Sequence, residues 1–156
     1  MTTAPGVGDK APAFKLPKDG GGDLALSNFK GRKLVLYFYP KDDTSGCTAE
    51  AKDFNSLKAD FDKAGTDVVG VSPDSVKSHD KFKAKYELEF ALASDESKAM
   101  LEAYGVWVEK SMYGRKYMGV ERTTFLIGAD GKIAQVWRKV KVPGHVAEVL
   151  EAARKI

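Results

Sequence analysis

The clearest apolar segment of the chain is residues 34–39, six consecutive aliphatic or aromatic positions that are followed by Pro40. An apolar run of this length, with no polar position, predicts a strand buried on both faces. Polar turn residues follow, and helical spacing begins at Gly46. From there to Gly65, the apolar positions predict an amphipathic helix of about seventeen residues with one face on a sheet. These positions are Phe54, Leu57, Phe61 and Ala64.

The next segments continue the alternation of strands and helices. Residues 67–72, which include three valines, are predicted to form a second buried strand. A strand, helix and strand with a crossover of this length predict a parallel, right-handed pair. Ser72 as N-cap and Pro73 at the first helical position then predict a helix that ends at Tyr86.

The C-terminal half completes the predicted elements. Residues 88–93 are expected to add a short strand, and Ser94 or Asp95 to cap a helix that ends at Gly105. An Asp-Gly turn between two apolar runs predicts an antiparallel hairpin. The last three segments are an irregular stretch that could rim a site, this hairpin and a closing helix, at residues 106–122, 123–138 and 145–155.

Two short alternating segments, residues 11–17 and 23–26, flank a glycine run and predict an N-terminal hairpin. Without this hairpin and the insertions, the order is strand, helix, strand, helix, strand, strand, helix. This is thioredoxin-like order, so we predict an α/β fold with a central mixed sheet flanked by helices. We expect a single domain over residues 1–156, since a chain of this length buries roughly two-thirds of its unfolded surface and needs no disulfide or metal.

Composition and charge argue against several classes of protein. The chain is 43% hydrophobic and 30% charged, and its 25 basic and 22 acidic residues give a net charge of only +3. Lysines are spread along the sequence instead of clustering with aromatic residues, which argues against nucleic-acid binding. No run approaches the roughly 18 apolar residues of a membrane span, and residues 1–8 lack the apolar core of a leader. With one unpaired cysteine, a cytoplasmic protein without membrane contact is expected.

The only cysteine, Cys47, lies where the buried strand gives way to the helix. The first-turn N–H groups of a helix have no internal partners and point at any anion beside them, so this position favours a thiolate. A lone cysteine can equally be a small buried hydrophobic residue. Position alone leaves both interpretations open.

The spacing of the neighbouring residues favours the reactive cysteine. Pro40 is followed by Thr44 four residues later, and Cys47 comes three residues after that. Glu50 stands a further three residues along. The pattern resembles the active-site signature of the peroxiredoxins, and residues 38–48 are similar to the peroxiredoxin Q branch, also called bacterioferritin comigratory protein. The resemblance covers nearly the whole chain.

The resemblance implies a role for each of these residues. Cys47 would be the nucleophile, Pro40 would cover its sulfur from bulk water, and Thr44 would orient the O–O bond of a peroxide. Arg122 matches the family's arginine in an Arg-Ser/Thr-Thr-Phe motif and would approach the sulfur, where a guanidinium favours the thiolate. Glu50 would hold Arg122 in that geometry. Without the family, Thr44 is a turn hydroxyl, Arg122 a surface arginine and Glu50 a solvated helix carboxylate.

The resemblance implies a thiol peroxidase that reduces hydrogen peroxide and organic hydroperoxides through a cysteine sulfenic acid, without a cofactor. Many family members carry a second, resolving cysteine, either five residues after the first or in a later helix. Here Lys52 occupies the first place, and the later helix contains Lys83 but no cysteine. An external thiol, from thioredoxin, glutaredoxin or glutathione, would therefore resolve the sulfenic acid. The chain is expected to be a monomer.

Four other functions stay open at this point. A dithiol oxidoreductase would need a Cys-x-x-Cys pair, and Thr44 stands where its second cysteine would be. A peroxide sensor, or a thioredoxin-like binding module without chemistry, would share the fold. A cysteine hydrolase would need a histidine base, and neither histidine can be assigned that role. His79 is expected to be a packing residue and His145 a surface residue, and neither stands at a metal-ligand spacing.

Overall fold

The computed structural model describes residues 4–156, and residues 1–3 of the predicted domain lie outside this range. The strands in chain order are β1 (Lys15–Pro17), β2 (Asp23–Ala25), β3 (Lys33–Phe38), β4 (Thr66–Ser72), β5 (Ala91–Ser94), β6 (Trp107–Met112), β7 (Arg115–Val120), β8 (Thr123–Ile127) and β9 (Ile133–Trp137). The helices are α1 (Ser45–Ser56), α2 (Lys58–Lys63), α3 (Val76–Tyr86), α4 (Ala99–Ala103) and α5 (His145–Arg154), with a 3-10 helix at Leu26–Phe29. Within the described range, no helix has the length and apolar character needed to cross a membrane.

β3 lies at the centre of a five-stranded mixed sheet in the order β5-β4-β3-β8-β9. β4 pairs in parallel with β3 and β5, whereas β8 pairs antiparallel with β3 and β9. The predicted parallel pair and C-terminal hairpin are therefore confirmed, as is the N-terminal hairpin of β1 and β2. The carboxyl end of β3 and the amino end of β8 meet at one edge of the sheet.

Both faces of β3 are buried, as predicted for an uninterrupted apolar run. Val35 and Tyr37 belong to the apolar cluster formed with α1, α2, α3 and α5, while Leu36 and Phe38 belong to the cluster formed with α4 and the N-terminal segment. The ring of Tyr37 lies against β4, where a Cβ on Gly70 would come within 2.8 Å of it. Packing on both sides makes β3 the fixed support from which the following loop starts.

The long helix predicted after Gly46 is instead two helices, α1 and α2, which meet at Leu57. The hydroxyl of Ser56 donates to the Asp53 carbonyl at 3.0 Å, and the helical bond from Leu57 N–H to the same carbonyl is 3.3 Å long. A serine that bonds back to the preceding turn competes with the backbone and bends a helix. This local competition leaves no signal in the apolar spacing.

Two predicted helix starts are wrong. Ser75, not Ser72, caps α3, and its Oγ accepts the Ser78 N–H at 3.1 Å. Ser72 is the last residue of β4, and the Ser72-Pro73 pair therefore starts a turn and not a helix. Similarly, α4 starts later than predicted, and Asp95 accepts the Leu101 N–H at 2.8 Å from a position before the helix.

Residues 106–122 were expected to be irregular, but they contain the regular antiparallel hairpin of β6 and β7. Its two-residue turn consists of Tyr113 and Gly114, with φ of 52° and 78°. Two positive φ values match the twist of a type I′ hairpin turn. The side chains of Met112 and Tyr113 are exposed at its tip, so the hairpin lacks the apolar alternation by which strands are recognised.

Candidate functional site

Cys47 lies at the junction between β3 and α1. The Tyr39 N–H still donates to Val71 O at 3.0 Å, and Pro40 then has no N–H to continue the ladder. Thr44 is the N-cap of α1, so Cys47 is the third residue of the helix, and the first turn contains no acidic side chain. The unpaired N–H groups of this turn are therefore available to an anion at Cys47.

Arg122 contacts the Cys47 sulfur and the Glu50 carboxylate at the same time. Its Nη2 lies 3.3 Å from Cys47 Sγ, and its Nη1 donates to Glu50 Oε1 at 2.7 Å. Strand pairing explains the contact: Phe38 stands opposite Thr123, so the residue before β8 reaches the junction after β3. A guanidinium stays protonated at any physiological pH, and here it favours negative charge on the sulfur.

Glu50 is buried, with a side chain only 1% exposed, and is not the solvated carboxylate that its helical position also allowed. Burial raises the pKa of Glu50 from 4.5 to about 7, although the adjacent Arg122 guanidinium opposes the shift. Within residues 4–156, Oε2 has no hydrogen-bond partner. The carboxyl therefore titrates near neutral pH, and its charge changes how much of the Arg122 field acts on the sulfur.

Replacing Glu50 by glutamine is expected to remove a pH dependence of stability. The folded protein keeps the proton on Glu50 up to about pH 7, whereas the unfolded chain releases it near 4.5. The folded state binds more protons in this window, so the free energy of unfolding of the wild type falls as the pH rises through it, by on the order of 3 kcal/mol. Thermal denaturation on both sides of the window should show Glu50→Gln gaining relative to wild type as the pH rises. A pH-independent difference would contradict the raised pKa.

Gly46 provides the space in which the guanidinium reaches the sulfur. A Cβ at this position would lie 3.3 Å from Arg122 Nη2, tighter than an ordinary contact. Gly46 has helical backbone geometry, so space and not conformation favours glycine here. A glycine in the first turn of a helix, where its propensity is poor, was the available sequence signal for this contact.

Thr44 and Pro40 lie in the loop that precedes Cys47. The Thr44 hydroxyl donates to the Lys41 carbonyl at 2.9 Å and not to the sulfur. Because its proton is used, the lone pairs of Oγ remain free to accept a hydrogen bond from a ligand. Pro40 is half-buried at the end of β3. The structure thus brings Arg122 to Cys47, with Glu50 bound to Arg122, and places Thr44 and Pro40 in the adjoining loop.

A second polar cluster, which the sequence analysis missed, supports this loop. Atoms of Asp42, Asp74 and His79 that could bind a metal lie within 4.8 Å of one another. They already hydrogen-bond to protein groups: His79 Nδ1 lies 2.6 Å from Asp42 Oδ2, and Asp74 Oδ2 accepts the Asp42 N–H at 2.8 Å. The cluster is therefore a hydrogen-bonded network, and His79 does more than pack.

His145 is buried, so its predicted surface position is wrong. The residue is 6% exposed, and its Nε2 lies 2.9 Å from Thr124 Oγ1. Burial lowers the pKa of His145 to about 4, which leaves the imidazole neutral at physiological pH. His145 pairs with Thr124 and not with Cys47, so the geometry does not favour a cysteine hydrolase.

A thiol at a strand-to-helix junction, held by an arginine from the next strand, is the site of a thiol-based redox protein. Residues 7–136 match the model of the AhpC/TSA family, and the chain belongs to this family of peroxiredoxins. It is similar to the putative peroxiredoxin bcp of Coxiella burnetii, 56% identical over 92% of this chain and 95% of the relative. It also resembles peroxiredoxin Bcp of Bacillus subtilis, 47% identical over 95% of this chain and 94% of that protein.

Solved structures agree with this assignment. Xanthomonas campestris peroxiredoxin Q superposes with a TM-score of 0.88 at 50% identity, covering 91% of this chain and 90% of that one. Peroxidoxin BcpB of Mycobacterium tuberculosis gives 0.87 at 32% identity over 97% and 98% of the two chains. The predicted thioredoxin-like α/β fold and the resemblance to peroxiredoxin Q are therefore confirmed. The chain is a thiol peroxidase, with a peroxide as oxidising substrate and a thiol as reductant.

Proposed function

We propose that this chain reduces hydrogen peroxide and organic hydroperoxides by a one-cysteine mechanism, with Cys47 as the nucleophile and an external thiol as the reductant. The observation that supports this most is the 3.3 Å contact between Arg122 and Cys47 Sγ, at a cysteine only 2% exposed. A fixed cation acts more strongly on a thiolate where water is excluded. Organic hydroperoxides are included because a similar Xanthomonas campestris protein, 49% identical, is described by its alkyl peroxide reduction activity.

In the proposed reaction, the Cys47 thiolate attacks the distal oxygen of the hydroperoxide in line with the O–O bond. The S–O bond forms while the O–O bond breaks, and the OH group passes to the sulfur as a sulfenic acid. The electron pair leaves on the second oxygen, which takes a proton from solvent to become water or an alcohol. Negative charge moves away from the sulfur, and the adjacent Arg122 guanidinium stabilises it in the transition state.

The other site residues prepare this step. Thr44 Oγ accepts a hydrogen bond from the peroxide and so aligns the O–O bond, since its own proton is donated to Lys41. Pro40 shields the sulfur from bulk water. Glu50 holds Arg122 through the bond at 2.7 Å and acts on the sulfur only through that arginine.

The oxidised cysteine is resolved by a thiol from outside the chain, because Cys47 is the only cysteine. The thiol sulfur attacks the sulfenic sulfur and releases water, which leaves a mixed disulfide. A second thiol then opens this disulfide and restores Cys47. Glutathione, glutaredoxin and thioredoxin are the proposed donors.

Residues 1–156 are proposed to act as one domain and as a monomer, since the chemistry needs one cysteine and one external thiol. The cytoplasm is the proposed location, because a single unpaired cysteine fits a reducing compartment. The proposed steps use side chains of the chain, the hydroperoxide, solvent and the external thiol, and none of them requires a cofactor or a metal.

The chemistry is tested by the intact mass of the protein after one equivalent of peroxide, with and without a dimedone-type trap. We expect a gain of about 16 Da, for one oxygen, that the trap converts to an adduct. Cys47→Ser is the matched blank and should show neither change. An ordinary, unreactive thiol in the wild type would contradict the proposal and leave a binding module. Oxidation that no thiol donor reverses would indicate a single-use peroxide sensor.

A further inference from the structure

Asp42 ties the loop that carries Thr44 to the surrounding structure through four polar contacts. Its carboxylate accepts from the Tyr39 hydroxyl at 2.5 Å, from the Ser78 hydroxyl at 2.8 Å, and contacts His79 Nδ1 at 2.6 Å. Its backbone N–H donates to Asp74 Oδ2 at 2.8 Å. The middle of the loop is thus tied to the end of β3, to the first turns of α3 and to the turn before α3.

His79 carries a proton on both ring nitrogens. Its Nε2 lies 3.0 Å from the Ala93 carbonyl, which can only accept, so this nitrogen must donate. Its Nδ1 faces the Asp42 carboxylate, which also accepts when ionised. The ring is fully buried, and although burial alone lowers its pKa, the bonds to Asp42 and Ala93 raise it above the ordinary 6.5.

The charge of His79 is required by its surroundings. Asp42 and Asp74 bring two carboxylates to within 4.8 Å of each other and of the imidazole. Among residues 4–156, the other polar groups in contact with the His79 ring are neutral: the Tyr39 hydroxyl, 3.5 Å from Nδ1, and the Ala93 carbonyl on β5. Asp42 is buried and Asp74 is half-buried. Two carboxylates at this distance repel each other where water is partly excluded, unless a cation lies close to both.

We propose that His79 is a positioning residue for peroxide reduction: as an imidazolium it neutralises Asp42 and Asp74 and so holds the loop of residues 40–44 in its reactive form. The effect reaches the site through the backbone of the loop. Asp42 directly follows Lys41 in the sequence, and the Lys41 carbonyl accepts a hydrogen bond from the Thr44 hydroxyl at 2.9 Å and so orients it. This inference rests on the proposed function, in which Thr44 aligns the peroxide.

His79→Gln tests the role of the charge, because glutamine keeps a hydrogen-bond donor but is neutral. The rate constant for oxidation of Cys47 by peroxide is expected to fall on the order of tenfold, since the peroxide is no longer well aligned. Alkylation of Cys47 by iodoacetamide should keep its rate, because this reaction needs the thiolate but not Thr44. Adding Asp74→Asn to His79→Gln should recover the peroxide rate, since it removes one of the two repelling charges.

Lys83→Gln is the matched control on α3. Lys83 pairs with the buried Asp19 at 2.7 Å, away from the loop. The variant removes a cation from the same helix and should lower the Tm without changing the peroxide rate. A folded His79→Gln protein with an unchanged peroxide rate would overturn the inference, as would a loss that Asp74→Asn does not recover.

The pH dependence of the wild type provides a second test that does not rely on the variant folding. The ratio of the peroxide and iodoacetamide rate constants cancels the thiolate population. Since the folded pKa of His79 is raised, loop support is complete below the ordinary value near 6.5 and is lost as the pH rises through the raised value. The ratio should therefore fall as the pH rises through the pKa of His79. It should fall in the same way in Glu50→Gln, which lacks the other group that titrates near neutral pH. A ratio that does not change with pH would overturn the inference. If Cys47 of the wild type failed to react with peroxide at all, the proposed function itself would be wrong.

Discussion

Replacing Arg122 by methionine is expected to slow oxidation of Cys47 by peroxide by about 10² to 10³, the usual loss when one preorganised group that stabilises transition-state charge is removed. Methionine retains the volume of the side chain but neither the charge nor the bonds to Cys47 Sγ and Glu50 Oε1. The rate of Arg122→Lys should lie between those of wild type and Arg122→Met, because one ammonium group keeps the charge but cannot bridge both partners as a planar guanidinium does. Stopped-flow measurement of Cys47 oxidation gives the rate constants directly.

The control separates the charge at Cys47 from charge elsewhere on the protein. Arg32 pairs with Asp67 at 2.9 Å on the exposed surface, so Arg32→Met removes an equal charge away from the junction. It should leave the rate within about twofold, since exposed ion pairs have small effects. An equal loss in Arg32→Met and Arg122→Met would contradict a specific role for Arg122.

Stability must be followed in the same experiment, because Arg122→Met leaves the Glu50 carboxyl buried without its partner. An uncompensated buried charge is strongly destabilising unless the group takes up a proton. Arg122 is the group that lowers the pKa of Glu50, so without it the carboxyl stays protonated to above the value of about 7 and is a buried charge only at higher pH. At such a pH, the double variant Arg122→Met, Glu50→Gln should recover Tm relative to Arg122→Met while the peroxide rate stays low. This outcome would assign the lost rate to the missing guanidinium and not to partial unfolding.

Strong local signals allowed much of the fold to be predicted from the sequence. Two such signals are the uninterrupted apolar run of β3 and the Asp130-Gly131 turn of the C-terminal hairpin, and each lies within a stretch of a few residues. The hairpin of β6 and β7 was missed because its turn uses Tyr113, a residue that seldom adopts a positive φ. Its exposed apolar side chains also break the alternation that marks a strand.

The contacts of Arg122 with Cys47 and with Glu50 agree with the predicted arrangement, but the depth at which Glu50 is buried was not predicted. Helical spacing shows which face of α1 a residue occupies, and not how far the neighbouring elements cover that face. The same limit explains His145, which helical spacing placed correctly at the start of α5 but whose burial depends on packing against Thr124. Burial of single polar residues is a property of the tertiary structure, and a local pattern does not contain it.

The network around His79 shows a further limit. The bond between Asp42 and His79 joins residues 37 positions apart. Each of these residue types is common, and neither lies at a spacing typical of a known site. Their contact results from the position of α3 over the loop after β3, which only the assembled fold defines.

Excess peroxide without a thiol donor is expected to inactivate the protein completely and irreversibly. With a single cysteine, the sulfenic acid formed at Cys47 cannot pass into a disulfide within the chain. It stays beside Arg122, where a second peroxide can oxidise it to a sulfinic acid that ordinary thiols do not reduce. Intact mass should show a gain of about 32 Da, for two oxygen atoms, that rises in step with the loss of activity.

A small thiol added before the peroxide should protect the protein, because a mixed disulfide forms faster than the second oxidation and thiol exchange reopens it.

Lys52→Cys offers a matched variant, since it adds a thiol five residues after Cys47 on α1. Five residues in a straight helix hold the two Cα atoms beyond the roughly 7 Å limit for a disulfide, so the bond requires α1 to unwind. If α1 opens after oxidation, Lys52→Cys should gain a disulfide and lose less activity; if it stays closed, the variant should gain about 32 Da as readily as wild type. Wild-type protein that recovers full activity with dithiol after excess peroxide would contradict the prediction that its sulfenic acid is left unprotected.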